Sequence, residues 1–291
     1  MNCPDYNSPS ALKAFMDQNG MAMQKKFGQN FMVNPKARAD IISMLEPEEG
    51  AAVWEVGPGL GAMTSLLLSS GLSVTAFEID RGFIAQLHTI FADEESAGRF
   101  RIVEGDVLKT WRQQGQDSAS GIKLFGNLPY NIAATLIADT ITKGFLFDKC
   151  VFTVQKEVAD RMRANPSEKD YSSFSVLCQW RYDVKPGVEL APGNFWPRPA
   201  VASQAVSFTP KRTPYECSNP QLFVNLVHVL FSQRRKTVRN NIKPLLPLGL
   251  SAEDFFSGTG IVPSERAENL ALEDFLRLTD SLNKAVSEEK R

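Results

Sequence analysis

Five residues constrain this chain more than any others. Gly57-Pro58-Gly59-Leu60-Gly61 stand between a β-rich apolar run, Ala51–Val56, and an apolar helical pattern from Met63 to Leu68. Glycines there let a strand turn sharply into a helix, leave the backbone open to a ligand, and place the free N–H groups of a helix start beside it. Such a strand–turn–helix unit belongs in a parallel sheet. The following sequence agrees. Ser73–Ile79 reads as a second strand, with a helical pattern after it at Phe83, Ile84, Leu87 and Ile90. Phe100–Val103, Ile122–Phe125 and Lys149–Val154 read as the third to fifth strands, and Ser175–Val184 and Ala202–Phe208 complete the set. The alternation predicts an α/β fold with a mostly parallel sheet covered on both faces. The last two strands leave little room for a helix between them, which predicts an antiparallel hairpin at one edge.

The pattern changes after Pro210. Leu222, Phe223, Leu226, Val227, Leu230 and Phe231 recur at helical spacing, and Ser251-Ala-Glu-Asp and Ser264-Glu-Arg-Ala-Glu read as helix starts. The predicted organisation is a loose arm over 1–24, an α/β domain over 25–210 and a small all-α domain over 211–291.

Charge narrows the partners. The 291 residues hold 32 Lys and Arg against 33 Asp and Glu, a net charge of −1, which excludes a uniformly basic nucleic-acid coat. Residues 13–38 nevertheless carry +4 and residues 211–243 carry +6, leaving −11 on the remainder. Two basic segments on an acidic body predict a polyanion bound at defined places; two solvated helix faces are the competing reading. Four separated cysteines without metal-ligand spacing read as free thiols of a reducing compartment, with no metal site. Two histidines, His88 and His228, leave no material for a histidine triad. No stretch reaches the ~18 apolar residues of a membrane helix, and no apolar leader opens the chain, so the expected location is the cytoplasm.

The glycine turn has an acidic partner. Glu78 ends the second predicted strand, 19 residues beyond Gly59. A carboxylate there can accept both hydroxyls of a ribose. The spacing is GxGxG, and an acid precedes the glycines, which favours S-adenosylmethionine over a pyrophosphate-containing dinucleotide. Asp106, just past the third strand, can accept from an adenine amino group; a helix N-cap is its alternative role.

Asn127-Leu128-Pro129-Tyr130 follows the fourth strand. An exocyclic adenine amine is a poor nucleophile because its lone pair is conjugated into the ring. The Asn127 side-chain oxygen and the Leu128 carbonyl can hold its two N–H groups and turn that lone pair outward. Pro129 stiffens the turn without adding a donor. Tyr130 offers a face for an extruded base, worth ~1–3 kcal/mol; a plain Asn-Leu-Pro turn with a core Tyr is the competing reading of these four residues taken alone. Positive charge develops on nitrogen as a methyl arrives, so acceptors stabilise the transition state and the proton leaves afterwards to solvent. Phe195, held in Phe195-Trp-Pro-Arg-Pro199, could close the other side of the base or plug the core.

Three further segments carry charge. Arg234, Arg235, Lys236 and Arg239 are read as continuing the apolar helix of the second domain, with Arg235 and Arg239 on one face as phosphate contacts; positive charge complementing the helix C-terminal dipole is the competing reading. Lys25-Lys26-Phe27-Gly-Gln-Asn30-Phe31 reads as a basic–aromatic segment that covers the cofactor or touches RNA. The run from Arg161 to Tyr171 reads as a mobile loop.

Taken in order, KFGQNF at 26–31, EVGPGLG at 55–61, FEID at 77–80, GDVL at 105–108, GNLPY at 126–130, QKEVADR at 155–161, NFWPRPAV at 194–201, FSQRRKTVRN at 231–240 and RAENL at 266–270 resemble the small-subunit rRNA adenine N6-dimethyltransferases, the KsgA-type proteins. The resemblance covers about residues 25 to 280. It implies a class I methyltransferase (Rossmann-like) fold with a helical second domain, S-adenosyl-L-methionine as methyl donor, and dimethylation of two adjacent adenines near the 3′ end of 16S rRNA during ribosome assembly. Its implied partners are that rRNA and the assembling small subunit, met by a monomer away from membranes. Implied cofactor contacts are Asn30, Met32, Gly57, Glu78, Asp106 and Asn127, with Gly59 from the turn itself. The implied catalytic residues are Asn127, Leu128, Pro129 and Tyr130, with Phe195 as aromatic partner. Met32 replaces the family's usual Leu, and Ser172-Ser173-Phe174-Ser175 departs from its pattern after Tyr171. The role of residues 1–24 is not assigned by the resemblance.

Two other readings share this core. A large-subunit rRNA adenine methyltransferase of the resistance type is opposed by the RRKTVRN and RAEN segments. A non-catalytic RNA-binding assembly factor is opposed by the intact Glu78, Asp106 and Asn127–Tyr130. A dehydrogenase is set aside by the glycine spacing.

Overall fold

The computed structural model describes residues 3–21, 23, 30–114, 120–128, 130–213 and 215–289. Pro129 and most of the basic–aromatic stretch before Asn30 lie outside the described residues. The chain divides into two compact units. The first takes Met1–Ile137, Phe145–Ala159 and Val184–Pro210; the second takes Ala138–Gly144, Asp160–Asp183 and Lys211–Arg291. The expected boundary near residue 210 therefore coincides with a boundary between units. The expected 25–210 domain does not stay whole, because 138–144 and 160–183 belong to the second unit.

In the first unit the chain runs through α1 (Pro9–Gln18), β1 (Phe31–Met32), α2 (Pro35–Ser43), β2 (Ala52–Val56), α3 (Ala62–Ser69), β3 (Ser73–Glu78), α4 (Arg81–Ile90), α5 (Ala92–Ser96), β4 (Phe100–Glu104), α6 (Val107–Thr110) and β5 (Ile122–Asn127). Helix α7 (Tyr130–Thr142) and strand β6 (Lys149–Gln155) follow, then α8 (Lys156–Arg163), α9 (Ser173–Arg181), β7 (Tyr182–Leu190), β8 (Phe195–Trp196) and β9 (Ser203–Pro210). A seven-stranded sheet has the order β4-β3-β2-β5-β6-β9-β7. Strands β2 to β6 are parallel, and β9 runs antiparallel to β6.

The order turns back between β2 and β5. From β2 the chain builds outward through β3 and β4, then returns to lay β5 on the other side. Ligands of open α/β sheets sit at the carboxyl ends of the strands flanking such a switch point. Register places the expected residues there: Val56 lies opposite Gly126, and Glu78 opposite Glu104.

The arm at the N-terminus is a correction. Ser8 caps α1 by accepting from the Ala11 amide at 3.2 Å, and Pro9 occupies the first turn. Leu12 and Met16, one helical turn apart, are 1% and 3% exposed, packed with Phe31, Leu60 and Phe83. The segment is a folded part of the first unit.

A second correction concerns Ser175–Val184. Ser173–Arg181 is helix and only Tyr182–Leu190 is strand. Phe174, Ser175, Val176, Leu177, Cys178 and Trp180 are all buried, so the helix has almost no polar stripe to reveal its period.

The second unit also contains α10 (Pro220–Phe231), α11 (Val238–Ile242), α12 (Ala252–Phe256) and α13 (Leu272–Glu289). Ser251 caps α12 as expected, accepting from Asp254 N at 3.1 Å. Ser264 starts no α-helix; only a 3₁₀ turn, Ala267–Asn269, follows it. Among the described residues no helix is long and apolar enough to cross a membrane.

Candidate active site

A cavity of about 300 Å³ opens at the switch point of the first unit. Asn30, Met32, Gly57, Gly59, Glu78, Asp106, Asn127 and Leu128 all line it. Residues that are 98 positions apart in sequence are thus brought to one place by five strand ends and the turns after them.

The glycine turn is held from both sides. Gly57, Gly59 and Gly61 have φ of 70°, 58° and 87°, a region closed to most side chains. The Gly57 amide donates to Phe77 O at 2.9 Å, fastening the turn to the end of β3. The Gly59 amide donates to Glu78 Oε2 at 3.2 Å. A Cβ built on Gly59 would stand 3.1 Å from the Phe31 ring, so the turn also lies flat against β1.

Glu78 is 6% exposed and does more than face the cavity. Its Oε1 accepts from the Ile79 and Asp80 amides at 2.8 and 2.9 Å. Burial raises its pKa above the usual carboxylate range despite these three donors, which pull the other way. The carboxylate is therefore fixed in orientation before any ligand arrives. Asp106 takes the N-cap role, capping α6 by accepting from Leu108 N at 3.0 Å, and it also lines the cavity.

Asn127 ends β5 and donates from Nδ2 to the Asn30 carbonyl at 3.1 Å. The amide is planar, so this commits the nitrogen and leaves the oxygen as the acceptor on the other side. Leu128 N donates to Thr153 O at 3.2 Å, and the Leu128 side chain lies where a Cβ on Gly126 would clash, at 2.8 Å. A side chain at Gly126 would therefore have to displace that of Leu128 from the cavity wall. Tyr130 opens α7. Phe195 is not brought to the cavity: it is 3% exposed, pairs with Met32 across β1 and β8, and belongs to the apolar core. In this structure it takes the plug alternative.

Sequence reasoning missed Glu55. It lines the cavity, is 1% exposed, and accepts from Thr64 Oγ1 at 2.6 Å. Burial pushes its carboxyl up to about 8, opposed by the Thr64 hydrogen bond and reinforced by the nearby Glu78 charge. The acid ahead of the glycines in EVGPGLG was the available signal. The apolar walls, Val56, Phe77, Ile79, Val107, Phe125 and Ile132, also escaped notice as site residues because they read simply as strand and helix core.

The basic residues of the second unit divide into two kinds. Helix α10 stops at Phe231 because Asn241 Nδ2 donates to Leu230 O at 2.7 Å and to Gln233 O at 3.1 Å, capping its end. The expected continuous helix is absent, and Arg235 and Arg239 do not share a helical face. Arg234 Nε donates to Glu268 Oε2 at 2.6 Å, and its guanidinium also donates to Lys169 O. Arg239 pairs with Glu253. Arg235 and Lys236 are exposed and form no ion pair with any described residue. The segment expected to be a mobile loop is anchored: Ser167 N donates to Glu268 O at 2.7 Å and Tyr171 Oη to Leu270 O at 2.9 Å.

The cavity suits a nucleoside sulfonium: two buried acidic side chains, one of them Glu78 oriented beside the glycine turn, and apolar walls for a base. Comparison with known proteins agrees. The profile of the family described as ribosomal RNA adenine dimethylase matches residues 20–284. The chain is 47% identical over 280 residues to ribosomal RNA small subunit methyltransferase A of Treponema denticola, covering 95% of each chain. It is 45% identical over 287 residues to the protein of that name from Treponema pallidum, covering 97% of this chain and 99% of the relative. Among solved structures, a dimethyladenosine transferase from Plasmodium falciparum superposes with a TM-score of 0.71 at 26% identity, covering 87% of this chain and 97% of that one. The 23S rRNA methyltransferase ErmE shares the fold, with a TM-score of 0.61 at 19% identity and coverage of 86% and 98%. With a class I methyltransferase sheet, a cavity fitted to S-adenosylmethionine as methyl donor and relatives matched along nearly its whole length, the chain belongs to the ribosomal RNA adenine dimethylase family.

Proposed function

We propose that this chain transfers methyl groups from S-adenosylmethionine to N6 of two adjacent adenines near the 3′ end of small-subunit rRNA, two to each, during small-subunit assembly. It does so as a cytoplasmic monomer. The observation that carries the reading is the position of Asn127 and Leu128 on the wall of the cavity that also holds Glu78 and the glycine turn. The names of the Treponema relatives support the small-subunit target.

The cofactor supplies an electrophilic methyl on a sulfonium. Every other task falls to the chain. Glu78, already oriented by three amides, accepts the ribose hydroxyls. Asp106 accepts from the cofactor's adenine amine, and Asn30, Met32, Gly57 and Gly59 complete the enclosure. Asn127 Oδ1 and the Leu128 carbonyl accept the two N–H groups of the target amine and stabilise the positive charge that grows on it. The apolar walls exclude water from the transfer path. Tyr130 provides the stacking face for the extruded base, and the phosphates are met by the exposed Arg235 and Lys236.

The test is methyl uptake by small-subunit particles and by naked large-subunit rRNA, with primer extension to locate the stops that dimethylated adenine creates. Two adjacent stops near the small-subunit 3′ end are expected. Uptake only into large-subunit rRNA would overturn the assignment.

A further inference from the structure

The N-terminal segment reaches the surround of the cofactor cavity at two points. Tyr6 Oη donates to the Leu60 carbonyl at 2.8 Å, inside the glycine turn itself. Leu12 and Met16 of α1 cluster with Phe31, Leu60 and Phe83, of which Phe31 and Phe83 line the cavity. Phe31 in turn lies against Gly59, the residue whose amide holds Glu78. The contacts form a short mechanical path: α1 to Phe31 to Gly59, and Tyr6 to Leu60, both ending on the turn that orients the ribose acceptor.

The base of the segment is anchored as firmly as its tip. Arg38, 6% exposed, donates to Tyr6 O at 3.2 Å, to Met32 O at 3.1 Å and to Asn7 Oδ1. Its guanidinium also sits 5.9 Å from the Tyr6 ring centre. One buried cation therefore ties the N-terminal segment to β1, whose Met32 is part of the cavity wall. Asn19 Oδ1 accepts from Gln86 at 3.3 Å, and Met21 lies against Gly82 at the start of α4.

We propose that residues 3–21 are a clasp that holds the glycine turn and β1 in the cofactor-binding arrangement, with Tyr6 as its positioning residue. The clasp acts on cofactor affinity and residence, and has no part in methyl transfer once the cofactor is bound. The inference rests on the cavity being the cofactor site.

The measurement is calorimetric binding of S-adenosylmethionine to the full chain, with stopped-flow dissociation and steady-state kinetics on small-subunit particles. Tyr6→Phe keeps the ring and removes one hydrogen bond. It should raise the Kd and the KM for the cofactor about 3- to 10-fold, chiefly through faster dissociation, with kcat at saturating cofactor within about twofold of the parent. Leu12→Ala should act in the same direction; if it does not fold, Tyr6→Phe decides alone. A Kd for Tyr6→Phe within twofold of the parent overturns the clasp. Glu78→Ala serves as the reference: it weakens binding if the cavity is the cofactor site. Should Glu78→Ala bind normally, the cavity assignment and the clasp fall together. Should Glu78→Ala lose binding while Tyr6→Phe does not, only the clasp falls.

Discussion

Glu55 is the residue whose chemistry is most exposed to test. Its folded-state pKa, about 8, lies above the ordinary carboxylate value of 4.5. The folded protein therefore binds this proton more tightly than the unfolded chain, and the stability from Glu55 is present below the unfolded value and lost as pH rises through about 8. Thermal unfolding measured from pH 5 to 9 should show the parent losing stability across that window and Glu55→Gln losing less. Parallel curves would show that the carboxyl titrates normally. Asn127→Ala makes a different prediction. One acceptor of the target amine is removed, so kcat should fall about 10²- to 10³-fold, by analogy with the loss of one transition-state hydrogen bond. Single-turnover methylation checks this, and near-parent turnover would count against the amine-holding role.

At the scale of elements, the glycine turn and the Arg234 brace carry the sharpest expectations. A Cβ on Gly61 would meet the Phe91 ring at 2.5 Å, and φ there is 87°. Gly61→Ala should destabilise the first unit by about 1–3 kcal/mol, read from denaturant unfolding. Arg234 and its neighbours should separate by function. Arg235→Ala and Lys236→Ala should each lower the salt dependence of particle binding by about one unit of slope, because those cations are open to phosphate. Arg234→Ala should instead speed amide exchange over 165–171, since its guanidinium holds Lys169 O and Glu268. No change in exchange there would return Arg234 to the phosphate contacts. The chain spacing RRKTVR reads as one helical face; Asn241, whose side chain ends α10 by capping it, is the reason it is not.

For the whole molecule, the chain forms two compact units, and the cofactor cavity is lined by residues of the first alone. Saturating S-adenosylmethionine at about 100 times its Kd should stabilise the unit that binds it by about 2.7 kcal/mol. Hydrogen exchange should then slow in β2, β3 and β5 more than in α10 and α13, and equal protection throughout would contradict a site confined to the first unit. Much of this was legible beforehand. The strands β2 to β6, the glycine turn, Glu78 and Asn127 follow from period, turn chemistry and residue type, all of which are local. Other features were hidden because they depend on partners distant in the chain. Helix α9 is buried all round, so its own residues carry no period. The N-terminal segment looks like an arm until Leu60, Phe31 and Arg38 are seen to receive it. Phe195 could serve a base or the core, and only its burial against Met32 chose between them. Local patterning specifies which elements form and which chemistry they can carry. Which side chains are dry, paired or facing the cavity is decided by packing between segments, because desolvation and hydrogen-bond partners exist only once those segments have met.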